Sequence, residues 1–280
     1  MTIKLIALDL DGTTLNHKRV ISSVTRETLK EAAQKGVNIV VATGRPRMAL
    51  PKDVYEIGAI RYVITSNGAQ VTDLRENKVV YRNCMSPETA ESAAGLISRY
   101  PYPIEAFTDG HAYINADYYE YVKETGECFR DPEYVLTTRE PVEDIIGFIL
   151  ENKQDIENIN VNFEDMADKA KMAPVLRTIP GATITSSFKN NLEIGGETTS
   201  KADALAKLCH ILGVSKDEMM AAGDSPNDIA MLKAAGLSIA MGNAEEEVKA
   251  EADYVTLSNA EDGVAAAIRK FVLESSAYGR

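Results

Sequence analysis

Ile3 to Leu8 is a short apolar run that ends at Asp9. It is too short for a buried helix and predicts a strand covered on both faces. Ser23 then opens a helical pattern through Leu29, Ala32 and Ala33 that stops at Gly36, with a capping residue before it and a glycine after it. Apolar Val37 to Ala42 predicts a second strand. Thr43-Gly44-Arg45-Pro46 reads as a turn, and Pro46 suits the first turn of another helix. Tyr62 to Thr65 predicts a third strand. Strand, helix, strand, helix, strand is the signature of a parallel, doubly wound sheet.

After Asn67-Gly68 the pattern changes. Gln70 to Asp73 and Lys78 to Arg82 read as a hairpin around Arg75-Glu76-Asn77. Ser86-Pro87-Glu88 starts a helix that runs to about Arg99. Strands follow at Ile104 to Phe107 and Ala112 to Ile114, turning at Asp109-Gly110. A helix is predicted from Pro141 to Asn152, a strand at Ile159 to Phe163, and a helix around Met166 to Arg177. Strands at Ala182 to Ser187 and Leu192 to Ile194 close the stretch.

The tail returns to the first style. A helix from Ser200 to Leu212 stops at Gly213, and a strand at Met219 to Ala222 runs into Gly223-Asp224-Ser225-Pro226-Asn227-Asp228. A helix ending near Gly236, strands at Leu237 to Met241 and Tyr254 to Thr256, and a helix from Asp262 complete the pattern. The expected fold class is α/β: a doubly wound, mainly parallel, Rossmann-like core made of 1–83 and 194–280. An α+β domain, 84–193, is inserted in its middle.

Composition adds mostly exclusions. At ~150 residues per domain, 280 residues suit two domains. A chain 45% hydrophobic and 26% charged is an ordinary globular one. Its 42 acidic and 30 basic residues leave a net charge of −12, which argues against nucleic acid held by overall charge. Cys84, Cys128 and Cys209 are scattered, without metal-ligand or CxxC spacing. No apolar run reaches the ~18 residues of a membrane span, and Asp9 and Asp11 interrupt the N-terminal apolar run too early for a signal core. Cytoplasmic localisation with no membrane partner is expected. Oligomeric state is not legible.

Ligands of open parallel sheets bind beyond the carboxyl ends of the strands. Those ends carry Asp9-Leu10-Asp11-Gly12-Thr13, Thr43-Gly44-Arg45, and Asp224 with Asp228, while Lys201 opens a helix. Asp9 and Asp11 share one site only if the chain bends between them, which Gly12 makes easy. Three clustered carboxylates without histidine or thiolate favour a hard cation, Mg2+ first. Thr43 and Gly44 offer a hydroxyl and an N–H to an anion. Singly, each feature has a plainer reading: an Asx turn at Asp9, an N-cap at Thr43, a surface lysine at 201, turn chemistry at Asn227. Their joint placement is what points to a site.

Together these segments resemble the four motifs of the haloacid dehalogenase-like (HAD) phosphatase superfamily, closest to Cof-like hydrolases with the type IIB cap. The insertion between Thr43 and Lys201 and the stretch Ala240-Met241-Gly242-Asn243-Ala244 also resemble that group. One departure is Ala202, where the group often has glycine. The resemblance implies a phosphatase acting on small phosphorylated metabolites. Asp9 would be the nucleophile and Asp11 the acid and base. Asp9, the Asp11 carbonyl and Asp224 would hold Mg2+, with Asp228 behind them or as a weaker ligand. The Leu10 and Gly44 N–H groups, Thr43, Lys201 and Asn227 would bind the phosphoryl oxygens.

A sugar phosphomutase on the same core would yield an isomer and no net phosphate. A phospho-accepting signalling domain would be about half as long and would not need Asp11. A phosphometabolite-binding protein would lack turnover. In the inserted domain, Tyr113, Tyr118, Tyr119, Tyr121, Phe129, Arg130 and Lys189 are candidate leaving-group contacts that read equally as core or surface.

Overall fold

The computed structural model describes residues 2–274; the last six residues of the expected core, 275–280, lie outside the described residues. Fourteen strands are present among them: β1 Leu5–Leu8, β2 Asn38–Ala42, β3 Ile60–Thr65, β4 Gln70–Asp73, β5 Lys78–Arg82, β6 Ile104–Thr108, β7 His111–Asn115, β8 Arg139–Val142, β9 Ile156–Asn162, β10 Ala182–Thr185, β11 Asn191–Gly196, β12 Met219–Gly223, β13 Leu237–Ala240 and β14 Tyr254–Val255. They form two sheets. The first has the order β14-β13-β12-β1-β2-β3-β4-β5 and the second β10-β11-β9-β6-β7-β8. The first is parallel from β14 to β3 and ends in the antiparallel hairpin β4–β5. The second is antiparallel except for β7 with β8.

The fold class is α/β, as the patterning indicates. β1, β2 and β12 are wholly or almost wholly buried, as continuous apolar runs between two helical layers should be. Leu5, Ile6, Val40, Val63, Leu205, Met220 and Ile239 belong to one apolar core. A second core joins Ala93, Ile97, Ile159, Val161, Met172 and Ile194.

Several elements depart from the sequence reading. Two helices, Ala116–Thr125 and Pro132–Thr138, fill a stretch with no predicted element. The helix expected from Pro141 spans only Ile145–Glu151, because Arg139–Val142 is a strand. β8 is an edge strand, where Pro141 is tolerated without an N–H, and Asp144 caps the helix through the Ile146 amide at 3.0 Å. After Pro46 a 3-10 turn, Arg47–Ala49, precedes a short helix, Lys52–Glu56; Pro51 interrupts the expected helix.

A tight turn, Ser66–Gly68, joins the two sheets to the helix Lys201–Leu212. Ser66 donates to Glu157 at 2.6 Å and Asn67 to Glu193 at 2.8 Å, both carboxylates coming from the second sheet. Gly68 has φ +111°, and a β-carbon there would lie 2.1 Å from the Ser200 carbonyl oxygen. Gly68→Ala therefore meets both a disfavoured backbone conformation and a clash, and is expected to cost about 2–4 kcal/mol in denaturant unfolding. A loss under 0.5 kcal/mol would contradict the packing.

Candidate active site

The register aligns Leu8 with Ala222 on one side and Val41 on the other. Asp9, Thr43 and Asp224 thus leave adjacent strands at one sheet edge. After Asp9 the chain turns sharply, with Gly12 at φ +80° and its would-be β-carbon 2.3 Å from Asp224 Oδ2. Only glycine allows that approach. Thr13 donates to Asp224 at 2.7 Å, Thr14 donates to the Asp9 carbonyl at 2.5 Å, and Asn243 donates to the Gly12 carbonyl at 2.9 Å.

Asp9, Asp224 and Asp228 each present a carboxylate oxygen, and these atoms lie within 4.8 Å of one another. Lys201, 1% exposed, donates to Asp9 Oδ1 at 2.6 Å and to Asp228 Oδ1 at 2.7 Å. Burial lowers the Lys201 ammonium, but Asp228 and Asp9 outweigh it and hold the pKa above its ordinary value. Burial, then the Asp228 charge, push Asp9 well up despite Lys201. The same two causes raise Asp224 to about 6. Asp228 also accepts from the Asp224 and Ser225 amides at 3.0 and 3.1 Å, which fixes the turn.

Asp11 stands apart from the three acids. Its carboxylate takes a bidentate pair from Arg45, at 2.7 Å from Nε and 2.6 Å from Nη2. Burial raises the Asp11 pKa, but the Arg45 hydrogen bonds and charge, with Arg130 and Lys201 beyond, hold it below the ordinary value. Arg45 is fixed in turn by the Ala49 carbonyl at 2.9 Å. Thr43, Gly44 and Asn227 line the same cavity as Asp9 and Asp11. The Leu10 and Gly44 N–H groups have no backbone acceptor among the described residues. Asn227 donates to Asn67 at 3.1 Å, while its own Oδ1 is buried without a partner.

The sequence profile of haloacid dehalogenase-like hydrolases matches residues 6–268. The chain belongs to the haloacid dehalogenase-like hydrolases. Within this family it is 35% identical, over 97% of its length and 96% of the relative's, to the Bacillus subtilis 5-amino-6-(5-phospho-D-ribitylamino)uracil phosphatase YcsE. A solved haloacid dehalogenase-like hydrolase from B. subtilis superposes with TM-score 0.82 at 28% identity, covering 96% of this chain and 100% of that one. A subclass IIB sugar phosphatase gives TM-score 0.80 at 26% identity, covering 96% and 98%. The chain is a phosphatase of the Cof-like group of this family.

In this hydrolase the acids fit a divalent cation. Two buried carboxylates and the half-buried Asp224 converge beside the Lys201 ammonium, and Asp9 and Asp224 are pushed toward neutrality. An oxygen-only donor set suits a hard ion. Asp228 belongs to that group of three, a placement that suits the weaker ligand of the sequence reading. The Asp11 side chain does not belong to it. Lys201 faces the acids, as their countercharge.

Of the inserted-domain candidates, only Arg130 lines the cavity. Tyr113 packs against the second core and Phe129 forms a small cluster with Ile114 and Val135, with Tyr118 and Tyr119 against it. Tyr121 is exposed, and Lys189 borders a different depression. Tyr134, Arg139, Glu105, Asn160, Phe188 and Glu193 line the cavity and were not singled out from sequence. No helix among the described residues is long and apolar enough to cross a membrane.

Proposed function

We propose that the chain is a Mg2+-dependent phosphatase that hydrolyses small phosphomonoesters through an aspartyl-phosphate on Asp9. Residues 1–83 and 194–280 form the catalytic core, and 84–193 a cap over it. The observation that carries this reading is the cavity itself. The Asp9 carboxylate opens into it between an anion cradle and a second, separately held carboxyl group.

Lys201 engages Asp9 Oδ1, which leaves Oδ2 to attack phosphorus while the bond to the leaving oxygen breaks. Asp11 gives that oxygen a proton, then takes one from the water that cleaves the aspartyl-phosphate and frees inorganic phosphate. The Arg45 pair keeps Asp11 ionised, the state the second half needs. A phosphate dianion arriving beside it opposes that pairing and favours the protonated form that the first half needs. Thr43, Asn227 and the Leu10 and Gly44 N–H groups hold the phosphoryl oxygens. Asp9, Asp224, Asp228 and the Asp11 carbonyl would hold Mg2+, which supplies positive charge to the transferring group.

Phosphate release from p-nitrophenyl phosphate tests this reading. Activity is expected with Mg2+, lost with EDTA and restored by Mg2+; activity that survives thorough chelation would sink the metal assignment. The pH dependence is also set. The Mg2+ ligand Asp224 titrates at about 6, so a proton competes with the ion below that pH. The half-saturating Mg2+ concentration is expected to rise by up to about tenfold per unit as pH falls below 6. A value unchanged between pH 5 and 6 would remove Asp224 from the ligand set.

A further inference from the structure

If Asp11 protonates the leaving oxygen, the leaving group lies on the Asp11 side of the cavity. That side is built from cations and aromatic rings. Arg45, paired with Asp11, has its guanidinium 4.9 Å from the centre of the Tyr134 ring. Arg139 is 4.7 Å from the same ring and is paired with Glu105 at 2.5 Å. Arg130 lies 4.3 Å from the Tyr134 ring and 4.7 Å from the Phe188 ring. Among the described residues it has no ion-pair partner. Every other guanidinium on this wall is neutralised.

The Tyr134 hydroxyl is a second unspent donor. The residue is 9% exposed, yet its Oη is buried with no hydrogen-bond partner. An orphaned buried hydroxyl is costly, and here it sits in a residue that lines the substrate cavity. The remaining acid of the lining, Glu193, accepts from Asn67 at 2.8 Å and Ser187 at 2.7 Å, so neutral donors already satisfy it. The cavity is small, about 80 Å³. At 10–15 Å³ per water-sized occupant it has room for roughly six, enough for a phosphoryl group and a few further atoms.

We infer that Arg130 and the Tyr134 hydroxyl form a subsite for a carboxylate on the leaving group, so that the preferred substrate is a short phosphorylated carboxylic acid. A guanidinium fork and one O–H match the two oxygens of a carboxylate. The inference rests on the phosphatase reading above and names its substrate class.

Initial rates with Mg2+ on phosphoglycolate and 3-phosphoglycerate, against ethyl phosphate and glycerol 3-phosphate, test it. The wild-type enzyme is expected to favour the acids at least about tenfold in kcat/KM, the scale of one charge-assisted contact. Arg130→Gln is expected to compress that preference to within about threefold, mainly through KM for the acids. Tyr134→Phe is expected to lose about threefold or more on the acids with little change in Tm, because the hydroxyl makes no hydrogen bond within the fold and Arg139 beside it keeps its pair with Glu105. That pairing separates a binding role from a structural one. Equal kcat/KM for acids and neutral esters in the wild type overturns the subsite and leaves the phosphatase reading standing. So does an undiminished preference in a folded Arg130→Gln, or in Tyr134→Phe should Arg130→Gln fail to fold. No release from these four or from p-nitrophenyl phosphate overturns the phosphatase reading, and the subsite with it.

Discussion

Asp9→Asn is expected to lower phosphate release by at least a factor of about a thousand while leaving the fold in place. Asparagine keeps the shape and the hydrogen bond to Lys201 but cannot form an acyl phosphate, and loss of a covalent nucleophile usually costs several powers of ten. Stability should change little, for a reason visible in the cluster. Burial and Asp228 already push Asp9 toward neutrality, so the charge removed is one that two other acids oppose. Lys201 keeps its contact with Asp228 at 2.7 Å. Two measurements decide the matter. Brief incubation with a labelled phosphomonoester and acid quench should trap an alkali-labile phosphoryl group on the parent and none on the variant. Thermal unfolding should give nearly coincident transitions. A variant that turns over within tenfold of the parent would mean that another group attacks phosphorus.

The core was legible because its chemistry sits where local patterns change. Asp9, Thr43 and Asp224 each follow an apolar run, and a parallel sheet must bring such strand ends to one edge. The cap side was legible only as an insertion, and the reason lies in its strands. In β9, Asn158, Asn160 and Asn162 alternate with Ile159 and Val161. That alternation reads as one face packed and one face in water. Here both faces are covered. Asn160 pairs with Glu105 on β6 and Glu193 on β11, and all three are at most 2% exposed because this polar face closes over the core. Nothing in one strand distinguishes a wet polar face from one that roofs a catalytic cavity. Tyr134 was missed although Asp131-Pro132 is a good helix start, with Asp131 accepting from the Tyr134 amide at 3.2 Å. The helix it opens is only seven residues long, which leaves too little periodicity to register. Arg45 stood in a quoted motif, but its partner Asp11 is 34 residues away in sequence, and only the sheet brings them together.

Lys201→Met is expected to cause the largest loss of stability from a single change in the site, about 3–5 kcal/mol without metal at pH 8, the scale of breaking a buried ion pair by removing one partner. Methionine fills much of the same volume, so the effect is electrostatic rather than a cavity. The side chain is 1% exposed and is the one cation bonded to both Asp9 and Asp228 among the described residues; without it three acids face one another with no countercharge between them. The sign with pH follows from Asp9. Its folded pKa is already raised by burial, and the variant removes the cation that opposes that rise. The folded variant therefore holds a proton that the unfolded chain gives up, so its stability falls as pH rises. The deficit relative to the parent should be widest near pH 8 and narrow toward pH 5. Mg2+ should recover part of it, because the ion binds the folded form and supplies the missing positive charge. Denaturant unfolding of both proteins at pH 5 and 8, with EDTA or Mg2+, tests all three statements. A metal-free deficit that is absent at pH 8, or that grows as pH falls, would show that Lys201 does not serve as countercharge to the buried acids. Adding Asp228→Asn to the variant should return part of the lost stability, since it removes one of the carboxylates left without a countercharge.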